Sequence, residues 1–172
     1  MKKRVKIIFS AQDPGGFNAL WPIIKELKKK RNVLSKIVLA NESREIAKKR
    51  KINFRDAGKL SQKSLIKLIQ RDKPDLVFTA TSLGLSVEKI ITKIAKKQGV
   101  KTAAIIDFWV NYKLRFSDPG TENLAYLPDY ILVVDEIMKK EMVKEGFDLK
   151  RIFVSGNPYF STFLKEEKNN KN

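Results

Sequence analysis

The residues best suited to chemistry in this sequence follow the ends of predicted strands. Asp13, Gly15 and Gly16 form a turn after the first apolar run, and Asn18 lies in the helix that follows. Paired glycines let a backbone turn sharply and approach a ligand, while the first amides of a helix carry partial positive charge. A phosphate or carboxylate group is therefore expected to fit at this turn.

Asp13 is the strongest single candidate for acid-base catalysis, because a substrate hydroxyl at the turn can reach its carboxylate. Turn geometry explains an aspartate before a proline equally well, so Asp13-Pro14-Gly15-Gly16 is either a ligand cradle or a structural turn. The turn matches neither G-x-G-x-x-G nor G-x-x-x-x-G-K-S/T. Glu42 is the one candidate for holding a ribose. NAD binding is therefore the second choice at this turn.

Further candidates follow two later predicted strands. Thr81 and Ser82 come after a strand at 75–80, where they either contact a substrate or cap the next helix. An aromatic stretch after the strand at 102–107 mixes stacking faces with hydrogen-bonding groups, as a sugar or base pocket requires. Its members are Asp107, Trp109, Asn111, Tyr112, Arg115 and Phe116. The alternative is a loop that packs its aromatic rings onto the edge of the sheet.

The composition removes several kinds of catalytic site. The chain has 172 residues and contains neither histidine nor cysteine. Disulfides and thiolate metal sites are thus excluded, and the commonest metal ligand and general base is missing. We therefore expect no metal and no bound cofactor, and chemistry carried by carboxylates, hydroxyls, amines and backbone amides.

The formal net charge is +17, from 36 lysines and arginines against 19 acidic residues. Such a field attracts nucleic-acid phosphates or the anionic face of a membrane, although genome composition or life at high temperature also explains it. Since aromatic residues are not interleaved with the lysines outside 108–116, no specific nucleic acid is expected. Neither a bilayer-spanning run nor a signal-peptide pattern is found, which favours a cytoplasmic location with peripheral contact at the inner face of the membrane.

Alternating strands and helices position the candidate residues. Apolar runs predict strands at 5–9, 35–40, 75–80, 102–107, 130–135 and 151–154, and a weak strand at 52–54. Helical spacing predicts helices over 17–30, 44–50, 61–72 and 136–145, with a further helix between a Ser86 cap and Gly99; Ser61 and Asp135 are also predicted caps. This alternation predicts an α/β fold, an open, mostly parallel twisted sheet of about six or seven strands with helices on both faces. Ligands bind such sheets at the carboxyl ends of the strands, where the candidates should converge.

One domain is expected over residues 1–164, with a short final helix carrying Tyr159, Phe160, Phe163 and Leu164. Residues 165–172 are charged and rich in asparagine, which is typical of a disordered tail.

The order of five motifs carries a resemblance. They are Gly-Gly-x-Asn-Ala-Leu-x-Pro-Ile-Ile-x-x-Leu at 15–27, Lys-Pro-Asp-Leu-Val at 73–77, Val-Lys-Thr-Ala at 100–103, Pro-Asp-Tyr-Ile-Leu-Val-Val-Asp at 128–135 and Val-Ser-Gly-Asn-Pro at 154–158. From Val5 to Phe160 this set resembles the N-terminal Rossmann-like domain of GT-B glycosyltransferases. Relatives of these enzymes are the UDP-N-acetylglucosamine 2-epimerases and the lipid-disaccharide and MurG-type synthases.

The resemblance implies an acceptor-side domain. Gly15 and Gly16 match the family's loop beside the cleft, and Gly156-Asn157-Pro158 matches the motif before the crossing to a second domain, although Ser161 stands where relatives often carry aspartate. In the family, that C-terminal domain holds the nucleotide-sugar donor, and this chain lacks it. The resemblance leaves three explanations open: half of a split enzyme that pairs with a donor-binding partner protein, a truncated enzyme with a missing C-terminal domain, or a standalone binding domain.

The function implied is transfer of a sugar in cell-envelope polysaccharide or glycolipid synthesis, with a nucleotide sugar and a lipid-linked acceptor as substrates. The chain alone is expected to have little or no activity. The alternative is a standalone, non-enzymatic nucleotide- or phosphate-binding module.

Overall fold

The apolar runs of the sequence pair into one parallel sheet. The computed structural model describes residues 4–160. Its strands are β1 (Val5–Ala11), β2 (Val33–Leu39), β3 (Arg55–Asp56), β4 (Leu76–Thr79), β5 (Lys101–Ile105), β6 (Tyr130–Val133) and β7 (Ile152–Val154). They lie in the order β3-β2-β1-β4-β5-β6-β7, and every pair is parallel. The predicted Rossmann-like α/β fold is confirmed.

Amphipathic helices connect the strands. They are α1 (Pro14–Lys28), α2 (Asn41–Lys49), α3 (Gln62–Asp72), α4 (Val87–Lys97), α5 (Tyr112–Phe116) and α6 (Glu136–Lys144). The predicted caps are confirmed: the side chains of Ser61, Ser86 and Asp135 each accept a hydrogen bond from the backbone N–H three residues further on. These bonds satisfy amides that a helix start leaves unpaired.

The core has a layer on each face of the sheet. Strand β1 alternates between them, because successive side chains of a strand point to opposite faces. Ile7 and Phe9 pack in one cluster with Phe17 and Leu20 of α1, whereas Ile8 packs with α3 and α4. A third cluster joins β6 to α5 and α6. The sheet is thus covered on both faces at its centre.

Several predicted boundaries are wrong. The strand predicted at 52–54 is β3 at Arg55–Asp56, because Ile52 and Phe54 pack against the α1 core before pairing with β2 begins. Helix α1 starts at Pro14 rather than residue 17, since proline suits the first helical position. Helix α2 starts at Asn41 rather than residue 44. The stretch without periodicity after β5 contains the short helix α5. The end of the predicted final helix, from residue 161, and the tail lie outside the described residues.

The order of the strands reverses beside β1. The chain moves from β1 to β2 and β3 on one side, and then returns to β4 on the other side. The loops after β1 and β4 therefore leave the sheet in opposite directions and open a crevice between them. In the described part of the chain, no helix is long and apolar enough to cross a membrane.

Candidate functional site

The loops after β1, β4 and β5 meet at this crevice. A Cβ atom built on Gly15 lies 2.4 Å from Oδ2 of Asp107, and one built on Gly16 lies 2.5 Å from the Cβ of Ala80. A side chain at residue 16 would clash with Ala80, where α1 packs closely on the end of β4, and one at residue 15 would have to displace the Asp107 carboxylate. The sequence-based expectation that these loops converge is met at this point of the fold.

A partly buried ion pair links the loops after β4 and β5. Nη1 of Arg115 lies 3.6 Å from Oδ1 of Asp107, and the two side chains are 8% and 18% exposed. The same nitrogen donates to Oγ1 of Thr81 at 3.2 Å, and Nε donates to the carbonyl oxygen of Val110 at 3.1 Å. Arg115, from α5, thus holds the ends of β4 and β5 together.

The electrostatics of Asp107 suit proton transfer. Burial raises the pKa of its carboxyl group, the Arg115 guanidinium opposes that rise, and the charge of Asp13 adds to it. A carboxyl group with a raised pKa holds and releases a proton closer to neutral pH. Asp107 is therefore better placed for acid-base work than Asp13, on which the sequence prediction rested.

The start of α1 already has a negative group beside it. The sequence predicted an anion there, and a carboxylate oxygen of Asp107 lies against Gly15 in that position. Helix α1 itself supplies no such charge, because its first turn has no acidic residue and the Asp13 side chain makes no capping hydrogen bond. An anion that approached the start of α1 would therefore meet the charge of Asp107.

Thr81 and Ser82 face the interior and do not cap α4. They are 4% and 1% exposed. Thr81 accepts from Arg115, and Oγ of Ser82 donates to Oε1 of Glu88 at 2.9 Å. The cap belongs to Ser86, so the capping alternative for Thr81 and Ser82 is wrong. Substrate contact by either side chain stays a prediction.

The aromatic stretch packs partly onto the sheet edge. Nε1 of Trp109 donates to Oδ2 of Asp135 at 2.9 Å, and the hydroxyl of Tyr112 donates to Oε2 of Glu141 at 2.5 Å. Burial raises the pKa of Tyr112, and its bond to Glu141 raises it further. These contacts favour the structural alternative for both rings.

Other predicted residues stay open to a ligand. Asn111 is exposed and adopts a left-handed conformation, with φ of 61°. Phe108 beside it is 56% exposed. Asn18 is half-buried, and its Oδ1 atom has no hydrogen-bond partner among residues 4–160.

Sequence reasoning missed Glu88, the second residue of α4. It is 2% exposed, and Oε1 accepts from the backbone N–H of Gln12 at 2.7 Å. Burial raises the pKa of its carboxyl group. A signal existed, because Glu88 shares helical spacing with the buried Ile91 and Ala95 and so falls on the apolar stripe.

The described residues hold no group of three or more acidic side chains that could bind a metal ion. Neither a protein-family model nor a curated protein sequence matches the chain significantly.

Solved structures do match. UDP-GlcNAc 2-epimerase from Neisseria meningitidis, bound to UDP-GlcNAc, superimposes with a TM-score of 0.74 at 17% identity, over 97% of this chain and 51% of that one. The 2-epimerase from Methanocaldococcus jannaschii gives 0.69 at 19% identity, over 89% of this chain and 46% of that one. MurG from Acinetobacter baumannii gives 0.54 at 13% identity, over 76% and 41%.

The chain spans about half the length of each of these proteins. At such identities the likeness shows the fold. The resemblance read from the motifs is confirmed at that level: this chain has the Rossmann-like parallel sheet of these structures.

Proposed function

We propose that this chain is the acceptor-side half of a GT-B-like glycosyltransferase that acts in cell-envelope polysaccharide or glycolipid synthesis. One observation carries the proposal: the Asp107 carboxyl group is held at the crevice against Gly15 and Arg115, partly buried and with a raised pKa. Support also comes from the half-length match to a 2-epimerase bound to UDP-GlcNAc and to MurG.

The proposed chemistry assigns each residue one role. Asp107 accepts the proton of an acceptor hydroxyl as that oxygen attacks the anomeric carbon of the donor sugar. A new carbon–oxygen bond forms, the bond to the nucleotide diphosphate breaks, and the diphosphate leaves with the electron pair. Arg115 orients the Asp107 carboxylate, and the donor nucleotide is held by a second domain or partner protein.

Epimerisation of a nucleotide sugar is the second candidate. It is favoured by the 2-epimerases among the compared structures and by the electrostatic coupling of Asp13 to Asp107, which places two carboxyl groups near one crevice. Two such groups can remove and return a proton on a sugar. Analysis of the product separates the candidates, because transfer consumes an acceptor and epimerisation does not.

A standalone phosphate-binding module is less well supported. Its anion needs the start of α1, where the Asp107 carboxylate lies. Calorimetric titration with UDP, CDP, NAD and AMP tests this alternative. Tight binding by the isolated chain would favour the module over the half-enzyme.

The decisive assay measures turnover of nucleotide sugars by the chain with and without a donor-binding protein encoded nearby. Turnover is expected only with both, and Asp107→Asn is expected to lower kcat at least about 100-fold. Glu136→Gln is the matched control, because Glu136 is an exposed carboxylate at the same edge of the sheet. Strong turnover by the lone chain, or full activity of Asp107→Asn, refutes the proposal.

A peripheral position at the anionic inner face of the membrane is part of the proposal and is supported by one face of the domain. Helices α3 and α4 expose Lys63, Lys67, Arg71, Lys93, Lys96 and Lys97. Their two acidic residues are Glu88, which is buried, and Asp72, which pairs with Lys36 and Arg71. Exposed cations without nearby free anions attract anionic lipid at about 1 kcal/mol each.

Flotation with vesicles tests this surface. Lys63→Glu with Lys67→Glu is expected to weaken binding to anionic vesicles at least about tenfold. The control pair is Lys29→Glu with Lys48→Glu, on the opposite layer, where both lysines are already ion-paired. Equal loss in both pairs would assign binding to net charge alone.

A further inference from the structure

Two adjacent charged residues are buried at the start of α4. Glu88 is 2% exposed and Lys89 is 3% exposed. Buried glutamate and lysine are rare unless other groups satisfy them, so their neighbours indicate what they do. Because consecutive helical residues point about 100° apart, the two side chains reach different parts of the crevice.

Glu88 holds the loops after β1 and β4. Its Oε1 accepts from the backbone N–H of Gln12 at 2.7 Å and from Oγ of Ser82 at 2.9 Å. The Gln12 side chain returns the contact, since its Oε1 accepts from the N–H of Val87 at 3.4 Å. Residue 12 precedes the glycine turn, so Glu88 sets where that turn lies relative to β4.

Lys89 holds the segment after β5. Its Nζ donates to the carbonyl oxygens of Leu114 at 2.9 Å and Ser117 at 2.7 Å, at the end of α5. The ammonium also lies 5.8 Å from the ring centre of Tyr126. A cation at the carboxyl end of a helix satisfies carbonyls that the helix leaves unpaired. The helix fixed in this way carries Arg115.

One atom of this arrangement lacks a partner. Oε2 of Glu88 is buried with no hydrogen-bond partner among residues 4–160. Glu88 also lines a small cavity of about 10 Å³ with Thr81, Lys89 and Arg115. A void of that size fits about one water molecule. Glu88, Lys89 and Arg115 thus line the same small cavity.

We propose that Glu88 and Lys89 are positioning residues: Glu88 fixes the glycine turn, Lys89 fixes Arg115, and together they hold Asp107 between the two. The inference rests on the proposed function of this crevice, and it concerns how the site is held rather than what it transforms. Neither residue needs to touch a substrate for this role.

The claim that Lys89 fixes Arg115 is tested by NMR titration of the Asp107 carboxyl carbon in the purified chain. Lys89→Met keeps the length of the side chain and removes its donors, so α5 loosens and Arg115 withdraws. The pKa of Asp107 is then expected to rise by about one unit, since Arg115 opposes the effect of burial. Asp13 is the other charged group acting on Asp107, and it is unchanged in the variant.

Lys93→Met is the matched control. Lys93 belongs to the same helix, and its Nζ lies 5.2 Å from the centre of the same Tyr126 ring. Lys93→Met therefore removes an equal charge close to Lys89. It should leave the Asp107 titration at the wild-type value. If Lys89→Met does not fold, Lys89→Leu, which also lacks a donor, is titrated and the same rise is expected. A folded Lys89 variant with wild-type titration of Asp107, or an equal rise in Lys93→Met, overturns the assignment.

The role of Glu88 is tested by the NMR shift of the Gln12 backbone amide and by the titration of Asp107. Glu88→Gln keeps an acceptor oxygen, so the hydrogen-bonded amide shift and the pKa of Asp107 should stay near wild type. Glu88→Leu removes the acceptor and should change both. Equal behaviour of these two variants refutes the role. Because no substrate is needed, failure here is distinct from absence of nucleotide-sugar turnover.

Discussion

Asp107 and Glu88 are buried carboxyl groups at the same edge of the sheet, in different surroundings. The Asp107 side chain keeps 18% of its surface open to solvent and faces Arg115 at 3.6 Å. Glu88 is 2% exposed and faces backbone and hydroxyl donors from the loops around it. Burial raises the pKa of both groups.

The difference in exposure separates a carboxyl group that can react with a ligand, Asp107, from one that can only position the surrounding loops, Glu88. A proton on Asp107 can pass to a ligand in the crevice, because part of the carboxyl group is accessible. A proton on Glu88 has no such route among the described contacts. A perturbed pKa alone thus does not identify a catalytic residue, since structural networks perturb pKa values as well.

Truncation of Glu88 gives the largest expected loss of stability. Glu88→Ala leaves the Gln12 N–H and the Ser82 hydroxyl buried without their acceptor, and each costs about 1–3 kcal/mol. We expect a loss of about 3 kcal/mol in the free energy of unfolding, measured by urea denaturation. Asp107→Asn, which keeps an oxygen for Arg115, should change it by less than about 1 kcal/mol. A larger loss of stability in Asp107→Asn than in Glu88→Ala would contradict the assignment of Glu88 as the structural carboxyl group.

The dependence of stability on pH is the next effect in size. The pKa of Glu88 in the folded state lies above its unfolded value of 4.5, so the folded state holds more protons between the two values. The free energy of unfolding therefore falls as pH rises through that window, and the contribution is intact only below it. One such group accounts for at most about 1.4 kcal/mol per pH unit.

Glu88→Gln cannot ionise and removes this fall. Its stability relative to wild type should thus increase from about pH 4.5 upward, as followed by urea denaturation at a series of pH values. Asp107→Asn should change in the same direction by less, because Arg115 stabilises the ionised form of Asp107. A constant difference between Glu88→Gln and wild type across pH would contradict the burial of an ionisable group there.

The sequence predicted the sheet because its signals are local. Strands β1, β4 and β6 are apolar runs, and serine or aspartate caps mark α3, α4 and α6. Strand β3 has two residues and no apolar run, so its position depends on pairing with β2. Local pattern cannot place such a strand.

The site was predicted less well than the fold, because its contacts join distant parts of the chain. Glu88 bonds to Gln12 across 76 positions of sequence, and Arg115 reaches Thr81 across 34. The topology rule brought these loops together and included Asp107 among several strand-end candidates, whereas Arg115 came from the aromatic stretch and Asp13 was preferred for catalysis. It could not distinguish a carboxylate facing the crevice from one sealed beneath it, since that depends on packing.

Substitution of Trp109 is expected to change stability least, and it tests whether the loop that carries Asp107 also binds a ligand through its aromatic residues. Its ring N–H donates to Oδ2 of Asp135, whose Oδ1 separately accepts from the backbone of Met138 at 2.8 Å. Trp109→Phe removes only the first bond, so a loss of about 1 kcal/mol or less is expected. Trp21, the other tryptophan of the chain, then reports unfolding by fluorescence alone.

Substrate affinity decides what the Trp109 ring does. If the ring is structural, as its bond to Asp135 indicates, Trp109→Phe leaves KM for acceptor unchanged in the assay with the donor-binding protein. Asp135→Asn is the control: its one oxygen still caps α6, while its amide NH2 group cannot accept from the indole, so it breaks the same bond and leaves the ring in place. A rise in KM without loss of stability would make Trp109 a wall of the substrate pocket, so that the loop after β5 is a ligand surface beyond Asp107.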